Sequence, residues 1–245
     1  APLVAAASGH WRMGLAWMAV PAVLAGVLAA RSLPPDAPGD QPTLAVAACL
    51  RRPRVWLLML CFGLVNGGYS TVVAWLAPFY QSHGWSAAGS GSLLAALALS
   101  QALAALGLPM LAGRHEDRRP WLWLTLALQD VGFAALAGWP DGAPLAWVVV
   151  LGAGLGGCFA LSLIVALEHL PDPGQAGALS ALMQGGGFLV AAMPPWIIAL
   201  LRDATGGFGA GWLMHLACVA MVALLYGRVA PASYRAAMGP APRWA

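Results

Sequence analysis

The 245-residue chain is 60% hydrophobic and 9% charged, and its 30 glycines raise the apolar share to about 72%. A soluble domain of ordinary composition is roughly 45–50% apolar and about 25% charged, so the composition and the mean hydropathy of +0.75 exclude a water-soluble globular protein. The net charge of +3 comes from twelve arginines and no lysine, too few and too scattered for a nucleic-acid surface.

A membrane-spanning helix needs about 20 mostly apolar residues, because the hydrocarbon core is roughly 30 Å thick and each residue rises 1.5 Å. Seven stretches meet or approach this: 13–30, 55–80, 88–112, 120–138, 145–167, 176–201 and 211–227. Polar, turn-forming segments separate them: Pro34-Pro35-Asp36, Ser82-His83-Gly84, Arg114 to Pro120, Pro140-Asp141-Gly142, Pro171-Asp172-Pro173, and Arg202 to Gly209. In lipid every backbone polar group must be satisfied internally, which leaves helices as the spanning form. The expected class is all-α, a polytopic membrane helical bundle.

Arginine sets the expected orientation. Alternate loops and the C-terminus hold Arg31, Arg51, Arg52, Arg54, Arg114, Arg118, Arg119, Arg228, Arg235 and Arg243, against Arg12 and Arg202 on the other side. The positive-inside rule then makes the N-terminus external and the C-terminus cytoplasmic. The chain begins Ala1-Pro2 with no Met and no charged leader, and the expectation is that it starts inside a longer protein. Residues 1–31 would finish one bundle, 32–52 form a cytoplasmic linker, 53–228 a six-helix bundle and 229–245 a cytoplasmic tail.

The six helices divide into triplets, 55–138 and 145–227. The first helix of each carries GxxxG, Gly63/Gly67 and Gly152/Gly156, and the second carries a mid-span glutamine, Gln101 and Gln184. Repeated triplets with interrupted helices are a common transporter plan; close helix packing through small residues accounts for the glycines equally. Gly152 to Gly157 also reads G-x-G-x-x-G. However, Cys158 to Leu167 is apolar all round, where a dinucleotide site needs an amphipathic helix. Helix packing explains these glycines.

Several stretches resemble a known family. Tyr69 to Pro78 with Gly84-Trp85-Ser86, Ser180 to Gly187 running to Pro194-Pro195, and Leu201 to Gly206 are similar to helices of the cyanate/nitroimidazole transporter group (CynX/NimT) of the major facilitator superfamily. Arg114 to Arg119 resembles a degenerate copy of that superfamily's basic inter-helix motif. The resemblance implies one helix plus the six-helix C-terminal half of a twelve-helix transporter. It implies a small polar or anionic solute, moved by alternating access across the bacterial inner membrane. The implied partners are the bilayer, the solute and the missing N-terminal bundle, with no nucleic acid, cofactor or metal.

Asn66, Tyr69 and Ser70 share a helix face, and Ser180 with Gln184 and Ser100 with Gln101 form two further polar stripes. A mid-membrane amide needs a partner or a wet cavity, so these stripes are expected either to bind solute or to bond neighbouring helices. The resemblance favours substrate binding by Asn66, Tyr69, Ser70, Gln101, Ser180 and Gln184. It also implies a conformational latch of Arg114, Asp117 and Arg118; a solvated cytoplasmic hairpin that fixes topology is the alternative. Asp130, the one acid well inside a span, is a proton-coupling candidate; a packing role is the alternative. Trp75 and Tyr80 fit an interfacial belt. His10, His83, His115, His169 and His215 are dispersed, and Cys49, Cys61, Cys158 and Cys218 lack metal or disulfide spacing. A multi-pass membrane enzyme, a non-transporting membrane subunit or a truncated product are the rival classes.

Overall fold

The computed structural model describes residues 12, 16, 19–32 and 49–239. The chain divides into two units, Ala1–Gln41 and Pro42–Ala245. In the first, helix α1 (Ala19–Ser32) is apolar and ends in Arg31. The expected linker falls mostly on residues 33–48, which lie outside the described residues.

In the second unit the helices follow the hydropathy pattern: α2 (Pro53–Ser82), α3 (Ala87–Ala112), α4 (Arg119–Gly138), α5 (Pro144–Glu168), α6 (Pro173–Ala191), α7 (Met193–Thr205) and α8 (Gly209–Tyr226). Among the described residues no strand occurs. Helices α6 and α7 together make one span, so six spans are long and apolar enough to cross a membrane. The protein is a multi-pass, all-α membrane bundle.

Local chemistry places the ends. Proline stands in the first turn of α2, α4, α5, α6 and α7, where its missing N–H is one the helix would leave unpaired. Ser86 caps α3 by accepting from Gly89 N at 3.0 Å, and Asp172 caps α6 by accepting from Gln175 N at 2.8 Å. Gly84 and Gly206 close the turns after α2 and α7 at φ 87° and 75°, a region costly for a residue with a Cβ. The span of α6 and α7 breaks at Ala192, just ahead of Pro194-Pro195, whose lack of N–H groups interrupts the helical ladder.

Packing between the triplets is reciprocal. The first helix of each lies on the second helix of the other: α2 against α6, and α5 against α3. The glycines make this contact possible. A Cβ on Gly63 would meet Val190 Cβ at 2.6 Å and Gly187 O at 2.7 Å, and one on Gly67 would meet Pro194 Cγ at 2.6 Å. In the other triplet, a Cβ on Gly152 would meet Ser100 Oγ at 2.2 Å, and one on Gly156 would meet Gln101 O at 2.1 Å. The GxGxxG run therefore lies wholly inside α5. Its intervening Gly154 and Gly157 seat Thr125, Gln129 and Leu108.

Helices α2 and α5 are the most deeply packed, whereas α3 exposes Leu99, Leu103, Leu106 and Met110 along one side. An apolar stripe of that length faces lipid or another helix bundle rather than water. Tyr80 departs from the belt expectation: it is fully buried, with its hydroxyl donating to Pro140 O at 3.2 Å. Trp75 is half-buried and donates to Pro195 O at 2.9 Å, tying α2 to α7.

Candidate functional site

The polar stripes are satisfied mainly within their own helices. Asn66 is buried, and its amide donates to Phe62 O one turn earlier at 2.8 Å; Ser70 donates to Asn66 O at 3.0 Å. Tyr69 is 37% exposed on α2. On α6, Gln184 donates to Ser180 O at 3.4 Å and to Ser180 Oγ at 3.3 Å. Ser100 donates to Leu97 O at 2.9 Å, and the half-buried Gln101 presents its backbone to Gly156. Among the described residues no hydrogen bond joins one of the three stripes to another. They sit on neighbouring helices, α2 between α3 and α6, as separate polar patches.

Other interhelical hydrogen bonds lie on residues outside the expected site. His215 Nε2 of α8 and Thr71 Oγ1 of α2 lie 2.9 Å apart, both buried, with Phe133 of α4 stacked on the imidazole at 5.0 Å. Gln129 is fully buried and donates across to Gly154 O of α5 at 3.2 Å. Ser162 and Tyr226 pair at 2.9 Å between α5 and α8. Their one sequence signal was polarity inside an apolar span; their partners lie up to 144 positions away. Asp130 is half-buried on α4, and its Oδ1 is enclosed without a hydrogen-bond partner.

At the arginine-rich end, the residues expected as a latch form two ion pairs. Arg118 reaches Glu168 at the end of α5 at 2.8 Å, and it also donates to the carbonyls of Ala112 and His115. Arg119 pairs with Asp117 at 2.7 Å, and the hydrogen bonds from Arg119 hold the Asp117 carboxyl below its usual range. Arg114 is exposed and in neither pair. Arg119, from the same basic stretch, and Glu168, which the sequence did not point to, complete the cluster.

The chain after α8 also docks here. A 3₁₀ turn, Pro231–Ser233, leads into the short helix α9 (Tyr234–Met238). Arg54 donates to Ser233 Oγ at 3.0 Å, Arg52 donates to the Met238 carbonyl, and Tyr234 stacks on His169 at 3.9 Å. Burial pushes His169 down to about 4, helped by the nearby Arg54 charge and opposed by the bond to Val165 O. The buried Cys49 lies at the same end, and burial raises its thiol.

Among the described residues no group of three His, Cys, Asp or Glu could hold a metal ion. The four cysteines are free.

Comparison with known proteins gives this bundle a family. The model of the Major Facilitator Superfamily matches residues 1–195, most of the chain. The chain belongs to that superfamily. Within the superfamily, it is 42% identical over 231 residues to the cyanate transport protein CynX of Escherichia coli (strain K12), covering 93% of this chain and 59% of that protein. It is 31% identical over 175 residues to the 2-nitroimidazole transporter of the same strain, covering 71% and 43%. An uncharacterized transporter of Bacillus subtilis (strain 168), YycB, shares 24% identity over 230 residues, 92% of this chain and 56% of that protein. All three relatives are named as transporters. The chain spans about half the length of the curated relatives it matches, and the CynX/NimT-like resemblance carried by residues 69–86 and 180–206 stands.

Proposed function

We propose that this superfamily chain is one helix and the six-helix C-terminal half of a secondary transporter that moves small polar or anionic solutes by alternating access. The single observation that carries this reading is the 42% identity, along 93% of the chain, to a cyanate transport protein. Cyanate-like anions and nitroimidazole-like heterocycles are the substrate classes that the relatives' names bring forward. Residues 1–31 would then close an N-terminal bundle, 32–52 link the halves, 53–228 form the second bundle and 229–245 follow it. The arginine distribution supports an inner-membrane location with a cytoplasmic C-terminus.

In this reading Asn66, Tyr69, Ser70, Gln101, Ser180 and Gln184 line one wall of a midplane pathway completed by the other half. The pathway wall offers amides and hydroxyls but no cation, so the charge partner for an anion at the midplane belongs to the other bundle. Asp130 is the proton-coupling candidate, supported by its enclosed and unpartnered oxygen. The ion pairs of Arg118 with Glu168 and Arg119 with Asp117 serve as the latch at the cytoplasmic end. Arg114 contributes positive charge beside them.

The test is uptake into proteoliposomes by the full-length polypeptide that contains this chain. Labelled cyanate and a panel of small anions and nitroimidazoles should include a saturable substrate. Asn66→Ala and Gln184→Ala should each lower kcat/KM about tenfold or more, equivalent to roughly 1.4 kcal/mol. The reading fails if no solute of the panel crosses, and the site fails if both variants transport as the parent does.

A further inference from the structure

A cavity of about 500 Å³ opens at the end of the bundle opposite the arginine-rich loops. It lies among the end of α2 (Phe79, Ser82, His83), the end of α4 with Pro140, and the α7–α8 turn from Gly206 to Gly209, with Arg202 on its wall. Its lining contains no carboxylate. Asp141 and Asp203 flank it as chain neighbours of the lining Pro140 and Arg202, but among the described residues no carboxylate lies within ion-pair distance of Arg202.

Aromatic rings hold the guanidinium in place. Its central carbon stands 4.9 Å from the Phe208 ring and 5.7 Å from that of Trp75, within the range of cation–π attraction. Phe208 in turn contacts Phe79 at 5.6 Å and Trp75 at 5.8 Å, while Phe79 meets the buried Trp212 at 5.4 Å. These rings pack edge to face and tilted against one another as a continuous aromatic floor. Among the described residues the Arg202 guanidinium makes no hydrogen bond, so its N–H groups remain for an acceptor, and a planar guanidinium suits a small planar or linear anion. On the rim, His83 is held by Nδ1, which donates to Phe79 O at 2.9 Å.

We propose that this cavity is an entry vestibule that recruits small monovalent anions through Arg202, ahead of the midplane pathway. The proposal rests on the transport of anions proposed above and names where they first bind. Arg202 and His83 are exposed, so binding is weak and screened by salt, as fits a site that raises local concentration and releases its cargo. The vestibule also supplies, at the mouth, the cation absent from this bundle's pathway wall.

Two measurements on the full-length polypeptide test it. The first is equilibrium binding of cyanate to purified protein in detergent, with no gradient. The second is cyanate uptake by proteoliposomes at low and high ionic strength, raised with a bulky organic salt. Arg202→Gln removes the charge. Gly207→Asp sets a carboxylate beside Arg202 at a position where a Cβ meets nothing within 4 Å, and it leaves the aromatic floor untouched. Both should weaken cyanate binding and raise KM roughly tenfold at low salt with kcat unchanged, and the difference should vanish at about 0.5 M salt, where the screening length falls to a few Å. Arg202→Lys, which keeps the charge but not the stacking plane, should fall between. The vestibule is overturned if Gly207→Asp binds and transports with parental KM, or if the loss is in kcat alone at every salt concentration. Arg202-dependent binding without any uptake would sustain the vestibule and sink the transport reading; uptake indifferent to both substitutions would do the reverse.

Discussion

His169 shows how a single side chain can couple the chain's end to pH. It is 2% exposed beneath Tyr234, with Arg54 nearby and Nδ1 donating to Val165 O at 2.6 Å. Burial disfavours the charged ring, so its folded value of about 4 lies below the 6.5 of an unfolded histidine. The unfolded state then binds more protons between those values, and stability rises with pH. The docked segment keeps its full stability above about pH 6.5 and loses it as pH falls towards about 4, by no more than about 3.5 kcal/mol. Hydrogen exchange at residues 229–238, corrected for intrinsic rate, should accelerate on acidification, and His169→Gln should flatten that response. Tyr234, which burial pushes up to about 12, stays neutral throughout. For the pair of Thr71 and His215, Thr71→Val leaves an enclosed imidazole nitrogen without its partner. A double-mutant cycle with His215→Phe should return a coupling of about 1 kcal/mol; additivity would show that the bond contributes nothing.

Helices, their ends and their interruptions were largely legible in the sequence. Residues 120–138 and 145–167 were expected as spans, and α4 and α5 begin and end within a residue of them. The reason is physical: apolar length and proline or glycine punctuation act locally. The span expected over 176–201 is instead two helices meeting at Ala192. Pro194-Pro195 signalled that break, but an apolar count does not register lost hydrogen bonds. The glycine pairs were legible as small-residue surfaces, yet not their partners. Gly156→Ala should prove this contact, because the added carbon would stand 2.1 Å from Gln101 O, a backbone atom with little room to move. A loss of roughly 1–3 kcal/mol, read as a lower Tm in detergent, is expected from such overpacking. Gly185→Ala, whose added carbon would meet nothing within 4 Å, should not lower Tm.

Taken as one body, the bundle pairs α2 with α6 and α3 with α5, which brings residues some 50 to 130 positions apart into contact. The ion pair of Arg118 with Glu168 belongs to this level, joining the α3–α4 loop to the end of α5. The pair is half-buried, with side chains 15% and 32% exposed, and Gln keeps an acceptor for Arg118, so Glu168→Gln should lower Tm only slightly. If the pair is a latch, the same change should alter the maximal transport rate several-fold, and the charge swap Arg118→Glu with Glu168→Arg should restore it. Orientation is testable by impermeant thiol labelling of intact cells. A cysteine in place of the exposed Asp141 should react from outside and one in place of Arg114 should not; the reverse result would invert the topology.

The sequence alone determined that the protein lives in a membrane, where its helices run and which loops carry the arginines. Each of those properties follows from local composition over some 20 residues. Tertiary structure alone decided which polar groups meet. Asn66, Ser70 and Gln184 turned back onto their own helices, while Thr71 found His215, Arg118 found Glu168 and Arg202 found an aromatic floor. Most of those long-range partnerships depend on helix rotation and on the order in which spans pack. A hydrophobic pattern that is nearly uniform around each helix carries little information about either.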